Sequence, residues 1–119
     1  MFLSVFAVGA VVILVLNSFI IANAAIVGTL TFATVGKKTS ATASTTYADE
    51  EGYNQKVIVM TYSGENQTGN ILATANGESA GTAWATTDSC EGVKSAYSKH
   101  QVCYPTGGVY KKITKTKNK

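Results

Sequence analysis

Lys56 to Tyr62 reads KVIVMTY. Its large apolar side chains, Val57, Ile58, Val59 and Met60, fall on both faces of an extended backbone, which predicts a strand in the middle of a sheet. Turn residues bound it, with Asp49-Glu50-Glu51-Gly52 before and the Gly-containing stretch Ser63–Asn70 after.

The same logic extends outward. Gly28–Val35 alternates, with Leu30 and Phe32 on one face and Thr29 and Thr31 on the other. Gly36-Lys37-Lys38 turns the chain into Thr39–Ala48, which sets Ala41, Ala43, Thr45 and Tyr47 on one face. Downstream, Ile71–Ala75 ends at Asn76-Gly77, the dipeptide best suited to a tight hairpin turn. Gly81–Thr87 carries the single Trp84, Val93–Tyr104 is a long strand, and Val109–Thr114 is a last one. No window shows a sustained 3.6-residue apolar period, so no crossover helix is available for a parallel sheet. The expected fold is all-β: an antiparallel immunoglobulin-like sandwich of about seven strands after an N-terminal apolar helix. Leu30, Phe32, Val57, Ile58, Val59, Met60, Ile71, Leu72, Trp84, Val93, Val102 and some of the tyrosines are the expected core, and alanine fills the rest.

Phe2–Ile21 (FLSVFAVGAVVILVLNSFII) holds twenty residues without a charge or a proline. As a helix it spans about 30 Å, enough to cross a bilayer core. Ala22-Asn23-Ala24 follows as a small-x-small cleavage site, so residues 1–24 read as a signal peptide, or as a retained anchor through residues 2–21. Residues 25–110 then form the sandwich and 111–119 a basic tail. The expected location is secreted or extracytoplasmic. Cys90 and Cys103 suit that setting as a disulfide, whose closed loop is worth about 2–4 kcal/mol. Asn66-Gln67-Thr68 is a glycosylation acceptor pattern.

The 119 residues bring 10 Lys, no Arg, 7 Asp+Glu and one His, for a formal net charge of +3. Every charged side chain lies after Gly36, and five of the lysines sit in the last nine residues: Lys111, Lys112, Lys115, Lys117 and Lys119. The net positive charge therefore belongs to the tail. That tail is expected to attract an anionic polymer or lipid of the cell envelope, at about 1 kcal/mol per Lys near a charged surface. A nucleic-acid partner is not expected, since it asks for cations spread over a folded face.

Enzyme chemistry finds little to work with. His100 shares a strand face with Ala96, Ser98 and Val102, and no Gly-x-Ser-x-Gly elbow marks a nucleophile. Asp49-Glu50-Glu51 lacks the spaced oxygen ligands of a calcium loop. Ser63–Gly69 has no Lys-Ser/Thr and no helix after it, so it is a hairpin loop and not a phosphate loop. No cofactor, metal or small-molecule substrate is expected. Trp84, Tyr97 and Tyr104 are the aromatic residues able to line a ligand face for a sugar or a lipid headgroup.

Ala80-Gly81-Thr82-Ala83-Trp84-Ala85-Thr86, followed by Lys94-Ser95-Ala96-Tyr97-Ser98-Lys99-His100, resembles the second half of lactococcin 972-like proteins. The resemblance covers about 25 residues: in that family a Gly-x-Trp-Ala segment precedes a Ser/Ala/Tyr-rich strand, as Gly81, Trp84, Ala85 and Ala96-Tyr97 do here, with one extra residue between the Gly and the Trp. The aromatic- and His-rich first half of that family is missing here, and the cysteine pair is not part of its pattern. It implies a small exported bacterial β-sandwich, some members of the family being bacteriocins that act on cell-wall synthesis. Residues and resemblance together lead to one expectation: a non-enzymatic exported protein that binds or builds at the cell surface. A bacteriocin-like toxin and a self-associating fibre subunit are the alternatives.

Overall fold

The structure is a computed structural model and describes residues 26–47 and 52–119. The apolar segment 2–21, the cleavage-site residues Ala22 and Ala24, and the acidic triplet 49–51 lie outside the described residues.

Among the described residues, eight strands follow one another: β1 Val27–Val35, β2 Lys38–Thr46, β3 Asn54–Gly64, β4 Thr68–Ser79, β5 Ala83–Thr86, β6 Cys90–Glu91, β7 Ser95–Cys103 and β8 Val109–Asn118. They form two antiparallel sheets packed face to face. One has the order β1-β2-β5, with β6 pairing the start of β2; the other has the order β4-β3-β7-β8. KVIVMTY lies inside β3, which is paired on both sides, by β4 and by β7.

The two inner faces follow from period-two alternation. Leu30, Ala41, Ala43, Ala83 and Ala85 point inward from the first sheet, and Val57, Val59 and Ala96 from the second. Alanine supplies more of this core than the expected large side chains do. Ile58 and Met60 are half-buried on the outer face of the second sheet, because their register partners Lys99 and Tyr97 point outward too. Ile71 and Trp84 are exposed. The core is thin, and small domains with thin cores are marginally stable.

The tight turns do not all fall where their dipeptides suggest. Asn66 and Gln67 both adopt positive φ (56° and 61°) within the three-residue connection, 65–67, that turns β3 into β4. Asn76-Gly77, expected to turn, runs straight through β4 opposite Ile58 and Val57. Gly77 serves close approach instead. A Cβ there would collide with the carbonyl oxygen of Trp84 on β5, so the bare backbone lets the edges of the two sheets meet.

The expected Cys90–Cys103 bridge is not made, and both thiols are free. Cys90 Sγ sits 3.8 Å from the carbonyl oxygen of Leu72, next to Ile71, which pairs with Tyr62 near one end of β3. Cys103 pairs with Asn54 at the other end. From Asn54 to Tyr62 is about 26 Å at ~3.3 Å per residue, far beyond the Cα separation a disulfide spans. Cys90 is half-buried and Cys103 is 2% exposed. A thiol reagent is therefore expected to label one cysteine in the native protein and the second only in denaturant. Equal labelling of both without denaturant counts against this placement.

Candidate functional site

The residues read as a basic tail are strand. β8 runs to Asn118 and pairs with β7 along its whole length, from Ser95↔Asn118 to Cys103↔Val109. The backbone N–H of Lys119 then donates to the carbonyl of Lys94 (2.9 Å). Lysine-for-threonine alternation is how an unpaired edge discourages strand addition.

This ordering gathers charge. Residues 92–119 contain seven of the ten lysines and no Asp or Glu. Lys111, Lys115 and Lys117 sit in register with Val102, Ser98 and Ala96, on the side of β8 that turns toward β1. Lys112 pairs with Gln101 on the outer face, where Lys99 also stands. A groove of about 310 Å³ separates the two edge strands, lined by Gly28 and Leu30 of β1 and by Lys115, Thr116 and Lys117 of β8. Lys117 Nζ lies 6.0 Å from the Phe32 ring centroid. At one end of the strand, Asn66 N–H donates to Asn118 Oδ1 (2.8 Å), which brings the hairpin carrying Glu65 to that end of the basic edge.

At the other end four tyrosines cluster. Tyr53, Tyr104 and Tyr110 pack at tilted angles with centroids 5.1–5.8 Å apart, and Tyr47 meets Tyr110 edge-on at 6.0 Å. Lys111 Nζ stands 5.3 Å from the Tyr47 centroid and 5.4 Å from that of Tyr110. Such contacts hold an ammonium group by the ring quadrupole, and here they fix the first lysine of the edge.

Trp84, Tyr97 and Tyr104 do not share a surface. Trp84 lies on the outer face of the first sheet, Tyr97 on the outer face of the second, and Tyr104 just past the end of β7. Trp84 is 62% exposed. Its surroundings are hydroxyls in cross-strand pairs: Thr42 with Thr86 (2.9 Å), Thr46 with Thr82 (3.0 Å), and Thr29 with Ser44 (2.6 Å).

His100 is wholly buried, on the inward face that its alternation with Ala96, Ser98 and Val102 indicates. Thr45 Oγ1 donates to the carbonyl of Lys56 (2.9 Å) and lies 2.9 Å from Nδ1. Since the Thr45 proton is engaged, Nδ1 carries the ring proton and Nε2 accepts from Ser98 Oγ (2.7 Å). Burial pushes the imidazole below its usual pKa; a hydrogen bond to the Ser44 backbone raises it, and the nearby Lys115 ammonium lowers it. Gly28 lies flat against the ring, where a Cβ would stand 2.7 Å from its carbons. The Ser98 partnership escaped sequence reading. Its signal was the i, i+2 spacing, which on a strand puts both side chains on one face.

Among the described residues, no group of three or more His, Cys, Asp or Glu is placed to hold a metal ion. No family model matches the chain, and no curated protein or solved structure is significantly similar to it.

Proposed function

We propose that this is a small exported, non-enzymatic binding domain whose β7–β8 edge docks on phosphate-bearing polymer or lipid of a cell envelope. The observation that carries the reading is the run of seven lysines without an acid in residues 92–119, four of which, Lys111, Lys112, Lys115 and Lys117, are held along the ordered edge strand β8. An ordered row of cations sets up a stronger local field than the same charges on a frayed tail, and it costs less entropy to dock. The free thiols remove one support for an oxidising compartment. Export therefore rests on the uncharged opening twenty residues, acting as a signal or an anchor. The fold is proposed to be immunoglobulin-like, and the strand order supports this. In that arrangement β1-β2-β5 correspond to strands A-B-E, and β4-β3-β7-β8 to C′-C-F-G.

Binding of the full chain is expected to be strong to vesicles rich in phosphatidylglycerol and to soluble polyphosphate. It is expected to be weak to phosphatidylcholine vesicles, and to fall steeply with salt. Replacing Lys112, Lys115 and Lys117 together with Gln should weaken it by about 100-fold, at ~1 kcal/mol per Lys. Lys38→Gln, on the strand that β6 caps through Glu91, should change it by less than about twofold. Equal effects of the two replacements would refute the edge as the site.

A further inference from the structure

We infer that the outer face of the β1-β2-β5 sheet is a second binding site, for an uncharged hexopyranose polymer, with Trp84 as its stacking platform. Among the described residues, Trp84 is the one large aromatic residue on that face, and it is 62% exposed on a strand, where burial is the rule for its type. Along the chain it is bracketed by Thr86 of its own strand, about 6.6 Å away by strand geometry, and by Thr82, which immediately precedes that strand. Each of these hydroxyls is paired across to β2, with Thr46 and Thr42. A mutual hydroxyl pair uses one proton and one lone pair, so a proton and several lone pairs stay available to a ligand.

A pyranose ring has the matching chemistry, with an apolar C–H face to lie on indole and a rim of hydroxyls to meet the threonines. The charge argument selects the neutral class. The cross-strand positions around Trp84 (Ser44, Thr42, Thr46, Thr82 and Thr86) carry no ionisable side chain, so the face offers a polyanion nothing that the β8 edge does not offer better. The backbone under the platform is held. The Trp84 carbonyl packs onto Gly77 and the residue is in register with Ser44, so presenting the indole costs no backbone ordering.

Trp84 is the only tryptophan in the chain beside six tyrosines, so emission excited selectively at the indole reports this site alone. The full chain should be titrated with cellohexaose, laminarihexaose, mannohexaose and chitohexaose, at low and at high salt. The expected result is a saturable blue shift with at least one of them, unchanged by salt. Calorimetry should then show affinity for that sugar reduced by about 30-fold or more in Trp84→Ala and by about 2–10-fold in Thr86→Val, both with unaltered circular dichroism. Absence of a shift with all four sugars overturns the inference. So does a shift that follows protein concentration without sugar, which would assign the face to a second copy of the chain. A sugar-induced shift that high salt abolishes also overturns it.

Discussion

Gly77→Ala should lower the stability of this domain by about 3 kcal/mol or more, read as a fall in the urea midpoint. Gly77 lies in β4 opposite Val57, and its missing side chain leaves room for the Trp84 carbonyl of β5. The atom in the way is backbone, which has no rotamer to give. Either β5 moves away, opening the alanine-lined contact of Ala83 and Ala85 with the other sheet, or β4 bends outward. Domains of this size commonly have a margin of only 5–15 kcal/mol, and this core contains few large side chains. Gly81 is the control, since a Cβ there meets only Ser79 Oγ at 3.8 Å. Gly81→Ala should stay within about 0.5 kcal/mol. Trp84 emission should change in the first variant and not in the second. If the two glycines tolerate Ala equally, the close approach of β4 and β5 is not structural.

Gly77 also shows where sequence reasoning loses purchase. Glycine after asparagine serves either a positive φ or a close approach, and the difference depends on a strand seven residues away. Asn66-Gln67, a weaker turn pair on paper, makes the turn because the β3–β4 register places it at the hairpin tip. The cysteine pair fails for a related reason. Thirteen positions look like a short loop until β7 lies extended between Cys90 and Cys103 and holds them at opposite ends of the sandwich.

What was legible is the part fixed by local alternation. KVIVMTY as a doubly paired strand, the inward face of Leu30, Ala41 and Ala43, and the shared face of Ala96, Ser98, His100 and Val102 all follow from period two. β8 obeys the same period, with Lys111, Ile113, Lys115 and Lys117 on one side and Lys112, Thr114 and Thr116 on the other. Its continuation past Thr114 read as tail because an edge strand needs no apolar face of its own. The partner strand β7 orders it, and a pairing at that distance leaves no local trace.

The second large effect belongs to His100. Truncation to Ala leaves a cavity on the inner face, strips Ser98 of the acceptor 2.7 Å away and removes the donor to Thr45. Cavity and orphaned hydroxyl together should cost about 3–5 kcal/mol in denaturant melts. The wild-type protein carries its own test, since His100 is the sole imidazole in the chain. Desolvation holds its pKa below the ordinary 6.5, so the folded protein keeps it neutral where the unfolded chain takes up a proton. The unfolded state then binds more protons, and stability rises with pH through that interval. The contribution is complete above pH 6.5 and is lost as pH falls from there through the folded-state pKa. Lys115, which faces the ring from β8, adds to the penalty, so Lys115→Gln should move the titration upward and narrow the acid-sensitive window. An NMR titration of the ring protons measures both values directly. A midpoint at or above 6.5 in the native protein would mean that the buried Ser98–His100–Thr45 chain accommodates the charged ring, and the acid sensitivity argued here would have no source.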